Sequence, residues 1–361
     1  MIWTLLIIFL PYFFILLNIW RHLNKLKSFI PAGNTSVSVS VIIACRNEEK
    51  NLPELLGRLS LQDYNPLLFE VIIVDDNSSD NTFSLVSEYK KIKFLRILSN
   101  PGTGKKQSIR AAVNTAKGDL IMTTDADCRP CNQWISTVAA YFDVTKADMI
   151  ILPVQLENKP GFAGRFAELE FLSLQGVTAG TAREGNPVMC NGANLAFSRQ
   201  AYLRHSGNLH DEILSGDDIF FLHSLKKESG SKIMWLNSAN AVVTTSQTAT
   251  IKTFLNQRAR WVSKVKALDD GYSRLISIVT FITILAWISF LVSGMIRREF
   301  LLLFFAAFFL KSIPDFLILY ETTGRYNKKH LLNWFIPSQL IYPFYVIAVV
   351  CRSLFNKNKW E

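Results

Sequence analysis

The chain has 361 residues, of which 49% are hydrophobic, and it carries a formal net charge of +10. This length is enough for one large or two ordinary domains, and the hydrophobic content is high for a soluble protein. Many basic residues lie beside apolar runs and no nucleic-acid-binding motif accompanies them, so the charge favours anionic lipid head groups over nucleic acid as its partner.

Four long apolar runs lie near the two ends of the sequence. The first covers residues 2–20, and the other three cover 275–296, 300–320 and 332–351. About 20 apolar residues span the roughly 30 Å core of a bilayer, so each run is a candidate transmembrane helix. The run at 300–320 contains Lys311, Pro314 and Asp315, which leaves a re-entrant or interfacial segment open as an alternative.

Basic residues next to the first apolar run set the expected orientation. Arg21, Lys25 and Lys27 follow that run directly, and no acidic residue occurs before Glu48. The positive-inside rule therefore predicts that the central part of the chain is cytoplasmic. The expected location is a membrane such as the bacterial inner membrane.

Between the apolar runs, strand-like and helix-like segments alternate. Strands are predicted at 37–44, 69–74, 92–98, 120–124 and 149–152, and helices at 48–59, 80–90, 105–116 and 132–145. This alternation predicts an α/β fold with a mostly parallel sheet and helices on both faces. Such sheets bind ligands outside the carboxyl ends of their strands, so those ends are where a site is expected.

Acidic residues follow three of these strands at their carboxyl ends. They are Glu48 and its neighbours after the first strand, the stretch 75–80 after the second, and Asp125 with Asp127 after the fourth. Two carboxylates at i and i+2 suit Mg²⁺ or Mn²⁺ holding a diphosphate. Two plainer readings stay open: a solvated turn at 125–127, and helix N-capping by the residues of 75–80.

A glycine-rich turn leads into Lys105 at the same edge of the predicted sheet. Its sequence, PGTGK, is similar to the end of a Walker A phosphate loop, which reads G-x-x-x-x-G-K followed by Ser or Thr. Ser99 stands where the first glycine belongs and Lys106 stands where the hydroxyl belongs, so an ATPase is excluded. A lysine that begins a helix after such a turn still suits phosphate oxygens.

The order and spacing of six segments between residues 36 and 262 resemble the family 2 glycosyltransferases. These are inverting enzymes of the GT-A fold that use nucleotide-sugar donors. The segments are VSVIIACRNEEKNLPELL, FEVIIVDDNSSDNT, GTGKKQSIRAAVNTAKGDLIMTTDADCRP, MCNGANLAFSRQAY, SGDDIFFL and QRARW. The family often has Glu where this chain has Asp217, a departure that leaves the next residue in place.

The resemblance implies which residues contact the donor. They are Asp75, Asp76, Lys105, Asp125, Asn191 and Gly192. Among them, Asp75 would read a uracil-type base, Lys105 would contact the diphosphate, and Gly192 would allow the backbone to lie close beneath the sugar. Asp125 and Asp127 would form the D-x-D metal pair, with Asp127 the more direct contact to Mg²⁺ or Mn²⁺.

The resemblance also implies an acceptor side. Asp218 would be the general base that deprotonates the acceptor hydroxyl, although a helix N-terminal pair is the plainer reading of Asp217 and Asp218. The gate to the acceptor and diphosphate would consist of Asp217, Gln257, Arg260 and Trp261. The QRARW residues lie on a predicted amphipathic interfacial helix at 246–270, and a plain membrane-surface helix is compatible with the same pattern.

The expected protein is therefore a membrane-bound inverting hexosyltransferase. It is expected to move a sugar from a nucleotide-sugar of the UDP class to a lipid or membrane-proximal glycan acceptor. Its predicted parts are a transmembrane helix with a basic flank (1–30), a cytoplasmic GT-A domain (35–245), the interfacial helix (246–270), and two or three membrane helices (271–361). A single transfer, similar to that of ceramide glucosyltransferases, is favoured because few membrane segments are predicted. The alternatives are a processive polysaccharide synthase of the hyaluronan or chitin type and an inactive nucleotide-sugar-binding membrane protein.

Overall fold

The structure is a computed structural model that describes residues 2–33, 35–89, 91–208, 216–264 and 269–355. Its helices are α1 Ile2–Asn24, α2 Leu52–Ser60, α3 Thr82–Glu88, α4 Lys105–Thr115, α5 Trp134–Thr145, α6 Gly161–Glu184, α7 Arg199–His205, α8 Asp217–Lys227, α9 Ile251–Ser263, α10 Gly271–Ile296, α11 Glu299–Arg325 and α12 Phe335–Phe355. Its strands are β1 Val39–Cys45, β2 Phe69–Asp75, β3 Leu95–Ser99, β4 Leu120–Thr124, β5 Arg129–Pro130, β6 Met149–Ile151, β7 Val154–Leu156, β8 Asn194–Ser198, β9 Ile233–Trp235 and β10 Val243–Thr245.

The chain divides into two compact units. The first, which we call the sheet unit, comprises Lys27–Glu157 and Met189–Ser246. The second, the helical unit, comprises the described residues of Met1–Leu26, Asn158–Val188 and Gln247–Lys357. The long helix α6 therefore clusters with the helices from the two ends of the chain, although it lies within the 35–245 segment expected to form one domain.

The sheet unit is built on a seven-stranded sheet in the order β3-β2-β1-β4-β8-β6-β9. Strands β3, β2, β1 and β4 run parallel, and so do β6 and β9. Strand β8 lies between β4 and β6 and is antiparallel to both. A second sheet has the order β5-β10-β7. The predicted α/β fold with a mostly parallel sheet is confirmed, and the antiparallel β8 is an addition that the sequence pattern did not predict.

The core of the sheet unit explains why its polar residues collect at the strand ends. Val41 and Ile43 of β1 pack in one cluster with Leu55 of α2 and with Trp134 and Val138 of α5, all fully buried. Residues of the opposite parity on β1 face the other side, and α4 packs against β1 and β2. Each buried aliphatic side chain contributes about 1.5–3 kcal/mol, so the strands are mainly apolar along their length and most acidic residues of the site lie at or just after their carboxyl ends.

The helical unit contains four helical segments that are long and apolar enough to cross a membrane. They are Ile7–Asn24, Gly271–Ile296, Glu299–Arg325 and Lys329–Phe355. Helix α11 is continuous through Pro314, so the run that left a re-entrant segment open forms one helix. Two ionisable residues within this run are paired: Lys311 Nζ lies 2.7 Å from Asp315 Oδ2, and it also lies 2.7 Å from Gln339 Oε1. Pairing of this kind is what makes charged groups tolerable at membrane depth.

Helix α9 occupies the centre of the predicted amphipathic segment and has a defined start. Thr250 caps it, accepting a hydrogen bond from the Thr253 backbone N–H at 3.1 Å in a reciprocal capping box. Phe254, Arg258 and Ala259 form its buried face. Residues 265–268 of the predicted helix, and 356–361 of the predicted membrane region, lie outside the described residues.

Candidate active site

The loops after β1 and β2 are held against each other by side chains of the two acidic stretches. Asn47, which has a left-handed backbone (φ 57°), accepts a hydrogen bond from the Ser79 N–H at 2.8 Å. Glu49 Oε2 accepts from the Asn81 N–H at 3.0 Å. This mutual bonding fixes the loop that begins at Asp75, at the carboxyl end of β2.

Asp75 presents an unused acceptor at that strand end. The side chain is buried, with 7% of the residue exposed, and its Oδ2 accepts from the Ser78 N–H at 3.3 Å. Its Oδ1 is buried and has no hydrogen-bond partner among the described residues. An unpaired buried carboxylate oxygen is costly, so this atom is the natural acceptor for a ligand N–H or O–H group.

Asp76 supports the glycine-rich turn from inside the protein. Its Oδ1 accepts from Asn100 Nδ2 at 2.6 Å, and its two oxygens accept from the Gly104 N–H at 3.1 and 3.0 Å. Gly104 has φ 88°, a conformation that favours glycine, and it precedes the first residue of α4. Asp76 therefore fixes the turn that carries Lys105, a supporting function that the sequence did not predict.

Lys105 links this turn to the D-x-D pair and to the start of α8. Its ammonium group donates a hydrogen bond to Asp125 Oδ1. Burial would lower the pKa of the Lys105 ammonium, but the negative charges of Asp125 and Asp217 raise it well above its ordinary value. A methyl group built on Gly192 would lie 3.5 Å from Lys105 Nζ and 3.4 Å from Asp218 Oδ2. The ammonium group thus lies among three of the predicted acidic residues.

Asp218 is held by backbone groups from two segments. Its Oδ2 accepts from the Gly192 N–H at 2.9 Å, and its Oδ1 accepts from the Ile219 N–H at 2.8 Å. Asn191 stabilises the turn that contains Gly192, because the Asn191 Oδ1 accepts from the Ala193 N–H at 3.0 Å. Asp217, the first residue of α8, is buried. The serine of the SGDD motif, Ser215, lies outside the described residues.

Asp127 is held by strand β10, a contact that sequence reasoning missed. Its Oδ2 accepts from Thr245 Oγ1 at 2.9 Å and from the Ser246 N–H at 3.4 Å. Burial raises the pKa of Asp127, and the charge of neighbouring Asp125 raises it further. No motif identifies Thr245, which comes close to Asp127 only because β10 pairs with β5 and β7.

The donor set at this edge fits a divalent cation that is completed by a ligand. Among the described residues, no group of three or more His, Cys, Asp or Glu side chains forms a site by itself. Mg²⁺ usually binds through one or two carboxylates together with substrate phosphates and water. Asp125 and Asp127 would supply such a pair of oxygen ligands, and a cation would relieve the repulsion by Asp125 that adds to the effect of burial in raising the pKa of Asp127.

The predicted gate residues of α9 belong to the helical unit. Gln257 Oε1 accepts from Arg258 Nη1 at 2.6 Å, and the Arg258 guanidinium carbon lies 4.1 Å from the centroid of the Trp261 ring. The Arg260 side chain is partly buried and no ion pair or hydrogen bond of it is found among the described residues. Arg258, to which the sequence assigned no role, thus contacts two of the three predicted α9 gate residues, Gln257 by a hydrogen bond and Trp261 by a cation–π contact.

Comparison with known proteins assigns the family. A family model described as glycosyl transferase family 2 matches residues 40–206. The chain is 30% identical over 126 residues to the poly(ribitol-phosphate) beta-N-acetylglucosaminyltransferase TarS of Staphylococcus aureus, covering 34% of this chain and 22% of that protein. It is 28% identical over 245 residues to a beta-monoglucosyldiacylglycerol synthase of Trichormus variabilis, covering 65% of this chain and 49% of that protein. The chain thus spans about half or less of the length of these relatives.

A solved structure shares the fold over nearly the whole chain. The mannosyltransferase PcManGT from Pyrobaculum calidifontis, determined in complex with GDP-Man and Mn²⁺, superposes with a TM-score of 0.59 at 17% identity. The match covers 98% of this chain and 99% of that one. The sheet order, the match to the family model over residues 40–206 and the GT-A-like fold agree with the resemblance found in the sequence. Residues 40–206 of the chain belong to glycosyl transferase family 2.

Proposed function

We propose that this protein is a membrane-bound inverting glycosyltransferase. Its donor is a nucleotide-sugar of the UDP class, and it transfers the sugar to a lipid or a membrane-proximal glycan. One observation carries the proposal. Lys105 bonds to Asp125 and approaches the Gly192 backbone, whose N–H in turn holds Asp218. A cation, a candidate metal-binding carboxylate and a candidate base therefore meet at the carboxyl ends of the strands, where α/β sheets bind ligands.

The donor would be bound by groups from several strand ends. Asp75 Oδ1, buried and without a partner among the described residues, would accept from the N–H of a uracil-type base. Lys105 would donate to diphosphate oxygens, and Asp76 would support it through the turn. Asp125 and Asp127 would hold Mg²⁺ or Mn²⁺, which when bound would supply positive charge for the diphosphate. The mannosyltransferase of the same fold was determined with Mn²⁺, which supports a divalent metal.

The transfer itself needs a base and a stabilised leaving group. Asp218 would accept the proton of the acceptor hydroxyl while that oxygen forms a bond to the anomeric carbon of the sugar. The bond from the anomeric carbon to the diphosphate oxygen breaks at the same time, so the configuration at this carbon inverts. The Gly192 N–H, at 2.9 Å, fixes the direction of the Asp218 carboxylate. General-base assistance of this kind contributes about 10²–10⁴-fold.

The acceptor is proposed to be a lipid or a glycan close to a membrane. The helical unit contains four helical segments long and apolar enough to span a bilayer, and a relative is described as a beta-monoglucosyldiacylglycerol synthase. The sheet unit would lie on the cytoplasmic side because Arg21, Lys25 and Lys27 follow the first apolar helix. Asp217, Gln257, Arg260 and Trp261 are proposed as the gate for the acceptor and the diphosphate.

A donor screen tests this function. Full-length protein purified in detergent would be incubated with UDP-, GDP- and dTDP-sugars, with Mg²⁺, Mn²⁺ or a chelator, and release of the nucleoside diphosphate measured. We expect metal-dependent release from one nucleotide class, and its loss in Asp127→Asn. Asp63→Asn, at an exposed carboxylate, is the matched control and should match the wild type. Absence of turnover with every donor, or turnover that survives in Asp127→Asn, would contradict the proposal.

A further inference from the structure

Arg258 is the most deeply buried polar residue of the QRARW segment, with 4% of the residue exposed. Its guanidinium donates to Glu170 on α6 through a two-pronged contact, with Nε 3.0 Å from both carboxylate oxygens and Nη2 2.7 Å from Oε2. The Tyr345 hydroxyl on α12 donates to Glu170 Oε1 at 2.9 Å. A forked charge-assisted pair of this kind is strong and directional, so the orientation of the guanidinium is fixed from α6 and α12.

The remaining groups of this guanidinium contact the neighbouring residues of the same motif. Its Nη1 donates to Gln257 Oε1 at 2.6 Å. Its plane covers the Trp261 ring at 4.1 Å from the centroid, and it also lies 4.7 Å from the Phe254 centroid. One buried arginine therefore sets the rotamers of the glutamine before it and of the tryptophan three residues after it. A lysine could not make these contacts together, because it lacks the planar fork.

These contacts decide what the gate can present to a ligand. The bond from Arg258 turns the Gln257 side-chain oxygen toward Arg258, so the NH₂ group, which only donates, is directed away from it. The Arg260 guanidinium is also a pure donor. An edge of a helix that presents mainly donors suits ligand groups that are rich in acceptor oxygens, such as a diphosphate or a sugar hydroxyl.

We propose that Arg258, held by Glu170, is the positioning residue of the gate: it turns the Gln257 amide so that NH₂ faces a phosphate or sugar oxygen and fixes the Trp261 ring. The inference rests on the proposed function, since it assigns a task to residues of that same gate. The plainer role for the pair is to anchor α9 to α6 as part of the fold. The two roles predict different results. If Arg258 positions the gate, a conservative change at Arg258 alters the environment of Trp261 and lowers turnover, while the other tryptophans stay unchanged.

The test is Arg258→Lys, which keeps the charge beside Glu170 but removes the fork. The matched control is Arg165→Lys, because Arg165 pairs with Glu168 on α6 at 3.3 Å and, among the described residues, no hydrogen bond or ion pair joins it to the motif. Full-length protein would be labelled with 5-fluorotryptophan, which gives one fluorine NMR signal for each of the eight tryptophans. Trp261→Phe assigns the signal of that ring. kcat and KM for the donor would be measured on the same samples.

We expect Arg258→Lys to shift the Trp261 fluorine signal alone and to lower kcat/KM about 10–100-fold, the range that misplacement of a positioned group produces. Arg165→Lys should do neither. Should Arg258→Lys not fold, Glu170→Asp, which withdraws the carboxylate by one methylene, takes its place with the same expectations. Equal effects of the two arginine variants, or an unmoved Trp261 signal, would overturn the inference. A wild type without turnover overturns the proposed function instead.

Discussion

Replacing Lys105 with methionine removes the ammonium group that contacts Asp125 while it keeps most of the side-chain length. In the native protein this ammonium group forms an ion pair with the carboxylate of Asp125, which is also proposed to bind the metal. Two unit charges about 4 Å apart interact by about 4 kcal/mol at an effective dielectric constant of 20. The Lys105 side chain is 20% exposed and the Asp125 side chain 37%. Solvent screening therefore reduces the interaction energy of this pair to about 1 kcal/mol. This corresponds to about a fivefold change in a binding constant.

The expected result has opposite signs for two ligands. Without nucleotide, Lys105→Met should bind Mn²⁺ about fivefold more tightly than the wild type, because Asp125 has lost its competing cation. With Mn²⁺ present, the same variant should bind the nucleoside diphosphate more weakly, because a phosphate contact is gone. Titration of free Mn²⁺ by electron paramagnetic resonance, followed by calorimetry with the nucleotide, measures both. Lys117→Met, at an exposed lysine just beyond α4, is the control.

Weaker Mn²⁺ binding by Lys105→Met than by Lys117→Met would refute this reasoning. It would mean that the ammonium group does not compete with the metal for Asp125. Unchanged nucleotide affinity would separately remove Lys105 from the proposed phosphate contacts.

Four further outcomes follow from the site. Gly192→Ala should change the free energy of unfolding by less than about 1 kcal/mol, because the added methyl group meets only ordinary van der Waals contacts. The same variant should have lower turnover, and both quantities would be measured on one sample. Asp76→Asn should destabilise the glycine-rich turn by about 1–3 kcal/mol in denaturant unfolding, and no loss would contradict its supporting function. Burial raises the pKa of Cys45 and of Cys128 to about 12, so both thiols should resist iodoacetamide at pH 8 in peptide mass spectrometry; rapid labelling would contradict this. Labelled donor should give one added sugar per acceptor on chromatography, and a ladder of long chains would favour a processive synthase.

Much of the sheet could be predicted because its strands are short, apolar and separated by helices. The predicted strand at 120–124 matches β4 without any shift, and Lys105 begins α4 as expected. Strand β8 was missed because Asn194–Ser198 follows a turn rather than a helix and joins the sheet only through pairing with β4 and β6. Its position depends on contacts far apart in the sequence, which local periodicity does not record.

The acidic residues at the carboxyl ends of β2 and β4 could be found because those strands are buried and apolar, yet their partners could not be predicted. Asp76 looked equivalent to Asp75, but burial and its bonds to Gly104 give it a supporting function. Arg258 lies within the QRARW motif, and its position on the buried face of α9 could have identified it. Its partner Glu170 lies 88 residues earlier in the chain, and no spacing rule connects the two.

Asp218→Asn gives the most direct test of the central claim, that acidic groups from separate segments form one site for sugar transfer. The change keeps the shape of the side chain and one of its two acceptors for the Gly192 and Ile219 N–H groups but removes the base. Turnover and Mn²⁺-dependent nucleotide binding would be measured on the same full-length sample, with Asp63→Asn as the control. We predict a loss of about 10²–10⁴-fold in kcat with nucleotide affinity retained. Turnover equal to that of the control would contradict the account.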